Sequence, residues 1–229
     1  EGKFEAAAAL SSIVINSDNQ VTVAREGAIT PLIALLRDGI PEGRVEAAAA
    51  LKDIAWNTDN QVTVAREGAI GPLIALLRDG TPEGKKTAAA ALSTIAYDDK
   101  ISVTVVREGA IPPLINLLGD GTPDGKTRAA EALWNIAVNA DNKVTVAKEG
   151  AIPPLIALLQ DGTHDGKKNA AGVLGNIAVN TENRATLARE GAIAPLVALL
   201  RDGTPDGKEN AAAVLRNIAS NADNMVAVA

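Results

Sequence analysis

His164 is the only histidine in the chain, and cysteine is absent. An imidazole metal cluster or a Ser-His-Asp triad has little to build on with one ring, which sits at a predicted helix start. Thiolate chemistry has no atom to work with. The segment Gly121-Thr-Pro-Asp-Gly125-Lys126-Thr127 carries the residue types of a phosphate-cradling loop. Its two glycines stand one residue closer together than that loop needs. Near copies of the phrase recur along the chain, as at Gly80-Thr-Pro-Glu-Gly84-Lys85, so helix capping explains it better. The chain reads as non-enzymatic, with no catalytic residue, no metal site and no cofactor.

The elements behind these phrases are copies of one unit. Arg-Glu-Gly-Ala-Ile stands at residues 25–29, 66–70, 107–111 and 189–193, and Lys-Glu-Gly-Ala-Ile at 148–152. Successive copies lie 41 residues apart, and Asp38-Gly39, Asp79-Gly80, Asp120-Gly121, Asp161-Gly162 and Asp202-Gly203 follow at a constant offset. A fixed period of this size means stacked supersecondary units that bury their apolar faces against their neighbours. The 229 residues therefore form one array: a third-helix stub at 1–17, repeats at about 18–58, 59–99, 100–140, 141–181 and 182–222, and a first-helix stub at 223–229.

Each repeat reads as three helices. In the copy from Asp59, a helix capped by Asp59 or Asn60 begins at Gln61 and stops at Gly68. A second runs from Leu73 to Arg78, with Pro72 near its first turn. Thr81-Pro82-Glu83 then offers a hydroxyl cap, a proline at the first position and an acid at the positive end of the dipole. The third helix runs from Pro82 to about Tyr97. Three departures stand out: Ile40 replaces the capping threonine, His164 replaces the proline, and Asp98-Asp-Lys-Ile-Ser-Val103 breaks the usual phrase and predicts the least well capped first helix.

Comparing the six third helices separates two faces. Leu10, Leu51, Leu92, Leu133, Leu174 and Leu215 never change, nor do the isoleucines three residues after each, nor the alanine pairs that start at Ala6, Ala47, Ala88, Ala129, Ala170 and Ala211. Offsets of i, i+1, i+4 and i+7 make one apolar face, which is core. Other columns vary: Ser12, Asp53, Thr94, Asn135, Asn176, Asn217; Ser11, Lys52, Ser93, Trp134, Gly175, Arg216; and Ile15, Trp56, Tyr97, Val138, Val179, Ser220. Earlier turns add columns that include Lys168 and Arg128, Asn169, Asn210. A fixed core behind a variable stripe is the pattern of a modular recognition surface. Trp134 and Trp56 fall in such columns and are expected to be exposed in a groove. The column Asn16, Asn57, Asp98, Asn139, Asn180, Asn221 lies at helix ends, where capping is the better reading.

Three helices in 41 residues, with Glu-Gly-Ala-Ile-Pro-Pro-Leu-Ile-x-Leu-Leu and then Ala-Ala-x-x-Leu-x-Asn-Ile-Ala, resemble the armadillo repeat family along the whole chain. The resemblance implies an all-α, right-handed α-solenoid (an armadillo superhelix) whose third helices line a concave groove for extended peptides. It also implies an asparagine ladder at Asn135, Asn176 and Asn217, because a primary amide can satisfy both N–H and C=O of a peptide backbone. Trp134, Arg128, Glu131, Arg216, Lys168, Asn169, Asn210, Trp56 and Tyr97 complete the expected groove. Nuclear-import adaptors of the family carry tryptophan four residues before the asparagine. Here Ala49, Ala90, Glu131, Gly172 and Ala213 stand instead, which disfavours that role.

The expected function is a protein-interaction module binding a protein or extended peptide. An engineered or excised scaffold without a ligand of its own is the alternative. A net charge of −6 with no basic run gives no electrostatic footprint for nucleic acid or an anionic membrane. The lack of cysteine, signal sequence and long apolar stretch fits a cytoplasmic or nuclear setting. The open ends predict end-to-end association, to be suppressed by charges at Val226 and Val228.

Overall fold

The computed structural model describes residues 2–14 and 16–220. Among these the regular elements are all helices. The threefold unit recurs as first helices α2 (Ser17–Arg25), α5 (Thr58–Arg66), α8 (Asp99–Arg107), α11 (Ala140–Lys148) and α14 (Thr181–Arg189). The second helices are α3 (Ile29–Asp38), α6 (Ile70–Asp79), α9 (Ile111–Asp120), α12 (Ile152–Asp161) and α15 (Ile193–Asp202). The third helices are α1 (Gly2–Ile13), α4 (Pro41–Ile54), α7 (Pro82–Ile95), α10 (Pro123–Ile136), α13 (His164–Ile177) and α16 (Pro205–Ala219). Val226 and Val228, and with them the expected end-to-end contact, lie outside the described residues, as do Ile15 and Asn221.

Local chemistry sets each boundary. Asn57 Oδ1 accepts from Asp59 N at 3.0 Å, so the cap of α5 lies before Thr58 rather than at Asp59 or Asn60. Asn60 is buried instead. Its amide donates to Ile54 O, the end of the preceding third helix, and to Gln20 O one repeat earlier, both at 3.0 Å. Gly68 stops the helix at φ +90°, a conformation costly for any residue with a Cβ. Helix α6 begins at Ile70, three residues before the expected Leu73, because Pro72 falls within the first turn, where backbone N–H groups have no partner in the helix. Thr81, Thr122, Thr163 and Thr204 each accept from the backbone N–H three residues on, at 3.0–3.2 Å. Ile40 makes no such bond.

The phrase at 98–103 corrects one expectation. Asp98 Oδ1 accepts from both Lys100 N (2.9 Å) and Ile101 N (3.0 Å), so α8 is well capped. Aspartate serves as well as asparagine at this position. The repeat departs elsewhere: Ile101 stands where Asn19, Asn60, Asn142 and Asn183 donate to the carbonyl of the isoleucine six residues before them.

The chain divides into two compact units, residues 1–113 and 114–229. In the first, α1, α4 and α7 pack side by side, with α3 against α4 and α6 against α7. In the second, α10, α13 and α16 form the same layer, backed by α12 and α15. Within both units the inner third helices bury their fixed positions completely: Leu51, Ile54, Leu92, Ile95, Leu133, Ile136, Leu174 and Ile177 have no exposed surface. Alanines such as Ala88, Ala89 and Ala130 are also fully buried. Side chains this small let neighbouring helices approach closely.

Candidate functional site

In the second unit, Asn135, Asn176 and Asn217 sit at equivalent positions of α10, α13 and α16, each half-buried. The amide nitrogen of Asn176 is shut off from solvent and has no hydrogen-bond partner. Buried donors are nearly always satisfied, and leaving one unpaired costs about 1–3 kcal/mol.

Trp134 is half-buried. Its indole lies against Gly172 of α13: a Cβ built there would fall 2.5 Å from Cε2 and 2.9 Å from Nε1 of the ring. Helical side chains lean toward the N-terminus of their helix. The ring thus reaches α13 at Gly172 instead of at Gly175, its partner by repeat number. The pair was missed from sequence, although a signal existed. Trp134 and Gly172 are each the sole residue of their kind in their columns, 38 residues apart. From Gly172 to Asn176 is one turn on the same face. The ring therefore stands beside the unpaired amide.

Charged members of the expected site are mostly matched. Arg128 Nη1 meets Glu131 Oε2 at 2.7 Å, and Lys168 Nζ meets Asp165 Oδ1 at 3.1 Å. Arg216 is exposed and makes no ion pair among the described residues. Asn169 and Asn210 depart from expectation. Asn169 is 5% exposed and donates to Thr127 O at 3.3 Å, and Asn210 donates to Lys168 O at 3.1 Å. Both amides are used sideways, tying each third helix to the one before it. Asn169 is nearly closed off from solvent, whereas Asn210 stays partly exposed.

These features agree with what comparison finds. The family model Armadillo/beta-catenin-like repeat matches residues 57–97, 98–138, 139–179 and 180–220. The chain belongs to the armadillo repeat family. It is similar to a designed armadillo repeat protein at 31% identity (TM-score 0.88, covering 93% of this chain and 92% of that one). Computationally designed armadillo repeat proteins for modular peptide recognition match at 32% (TM-score 0.86, 93% and 92%). A designed armadillo repeat protein in complex with the peptide (KR)4 matches at 30% (TM-score 0.85, 93% and 92%). No curated protein matches the sequence.

In the first unit of this armadillo chain the same column holds no asparagine. Ser12 is exposed, Asp53 pairs with Lys52 at 3.0 Å, and the Thr94 hydroxyl donates back to Ala90 O at 3.2 Å. Two aromatic side chains stand out instead: Trp56 is 66% and Tyr97 74% exposed. Both follow the last turn of their third helix and are exposed to solvent. The Asn16, Asn57, Asp98, Asn139 and Asn180 column caps the following first helices, also as expected. Among the described residues no group of three or more His, Asp or Glu side chains could hold a metal ion. No single described helix is long and apolar enough to cross a membrane.

Proposed function

We propose that this armadillo chain is a protein-interaction module that binds an extended peptide along the third helices of its second unit. The observation that carries the reading is the column of Asn135, Asn176 and Asn217, each partly exposed at the same place on successive third helices. A primary amide carries both donor and acceptor groups of the kind a peptide backbone needs, and Trp134 supplies a wall that rests on Gly172. The similarity to designed proteins for modular peptide recognition supports the same reading. Arg128, Glu131, Lys168 and Arg216 would set side-chain preference. Net gains of about 0.5–1.5 kcal/mol per hydrogen bond leave three asparagines well short of the roughly 8 kcal/mol of micromolar binding. Side-chain contacts must supply the remainder.

A screen of random twelve-residue peptides against the intact chain tests this. Replacing Asn135, Asn176 and Asn217 together by alanine should abolish capture of selected peptides while the melting temperature stays within a few degrees. Undiminished capture by the triple variant would refute the ladder. A second reading, a scaffold with no ligand of its own, draws on the similarity to designed proteins. It predicts that the same screen selects nothing.

A further inference from the structure

A cavity of about 410 Å³ opens between α12 and α15 in the second unit, beside the start of α13. None of the third-helix face residues lines it. Leu159, Pro195 and Leu199 form its apolar wall, and His164, Lys167 and Asp202 its polar edge. The same crevice recurs one repeat earlier, between α9 and α12, with a volume of about 240 Å³. There Pro123 stands for His164, Lys126 for Lys167 and Asp161 for Asp202. This sister crevice is a control built into the chain.

The two differ in charge. In the larger cavity, Asp202 is held by Arg201 at 2.9 Å, so its carboxylate is already answered. Lys167 has no ion-pair partner among the described residues. In the sister crevice Gln160 takes the place of Arg201, so no arginine neighbour answers the Asp161 carboxylate. The larger cavity therefore carries one positive charge more at its edge than its sister, from Arg201. His164 adds an imidazole N–H where the other long repeats carry proline. The larger volume falls within the usual range for small-molecule sites, roughly 300–1,000 Å³.

We propose that the α12–α15 cavity binds a small carboxylate with a flat apolar body. The body lies on Leu159, Pro195 and Leu199, and the carboxylate accepts from Lys167 Nζ and the His164 imidazole. The probe is naphthalene-1-carboxylate, titrated into the ¹⁵N-labelled chain. 1-Naphthylmethylammonium and 1-naphthylmethanol serve as cationic and neutral partners of the same shape. The carboxylate should shift backbone amides of α15 around Ala194–Leu199 and bind about threefold to fivefold more tightly than the cation, the scale of one partly exposed ion pair. Lys167→Gln should remove that preference. His164→Pro restores the residue of Pro41, Pro82, Pro123 and Pro205, so it keeps the helix start intact and should weaken the carboxylate alone. Equal binding of cation and carboxylate, equal response at the sister crevice, or an unchanged Lys167→Gln variant would each overturn the proposal. The titration does not depend on peptide binding, so the two proposals can fail separately.

Discussion

In the first unit the outward column of the third helices carries Ser12, Asp53 and Thr94; in the second it carries Asn135, Asn176 and Asn217. Behind both columns lie the same leucines, isoleucines and alanines, fully buried on α4, α7, α10 and α13, whereas Ile13 on α1 is 49% exposed. In the first unit Thr94 bonds back to its own helix, Asp53 pairs with Lys52, and aromatic surface is exposed. In the second an amide is left unpaired beside a ring that is held in place. One scaffold thus presents two unlike surfaces. The difference arises because the packing face and the outward face of a third helix are separate sets of positions, so the outward set can change without disturbing the core.

The largest effects should test the shared core. Leu92→Ala and Leu174→Ala each remove a side chain with no exposed surface, one in each unit. Each should cost roughly 2–5 kcal/mol, read as a loss of denaturation midpoint. Similar losses would confirm that the units share one packing solution. A loss confined to one unit would break the comparison at its root.

Next comes the ring that only the second unit holds. Gly172→Ala places a Cβ 2.5 Å from the Trp134 ring, so either the ring leaves its seat or α10 and α13 shift. Overpacking of this kind costs about 1–3 kcal/mol. In a Trp56→Phe background the emission of Trp134 should move to longer wavelength. Gly175→Ala is the control, because its Cβ would meet only Val214 Cγ2, at an ordinary 3.7 Å. If the two variants behaved alike, the seat at Gly172 would carry no weight.

A smaller gain is expected at the start of α4. Ile40 is exposed and leaves that helix without the threonine cap of α7, α10, α13 and α16. Ile40→Thr should raise stability by about 1 kcal/mol, seen as a higher denaturation midpoint. The first unit would then be capped like the second.

How much of this could be read from residues alone follows from geometry. The period, the three helices and the buried leucines were legible because a fold of stacked copies repeats its own constraints. The roles of the asparagines were not. Asn169 and Asn176 are seven residues apart, so they point within about 20° of each other, two turns apart along α13. Spacing puts both on one stripe. What separates them is whether a carbonyl of the preceding helix lies within reach, and Thr127 O does so for Asn169. The contact of Trp134 is hidden from the sequence for a related reason. Columns aligned by repeat number ignore the lean of helical side chains, and that lean moves its contact from Gly175 to Gly172.

The smallest expected effect concerns Arg128 and Glu131, and it separates stability from recognition. Their ion pair is three residues apart on one helix, with side chains 50% and 36% exposed. Pairs of that kind stabilise a helix by only about 0.2–0.5 kcal/mol, and salt weakens them further. Arg128→Ala or Glu131→Gln should therefore leave the melting temperature nearly unchanged. Each variant frees the partner's charge one turn from the next outward position. Peptides selected on the parent chain should then divide by charge, with acidic peptides weakened by Arg128→Ala and strengthened by Glu131→Gln. The check is to measure binding and melting side by side at low and moderate salt. A melting shift as large as that of Gly172→Ala would show that the pair is structural, and the second unit's face would lose one of its proposed determinants.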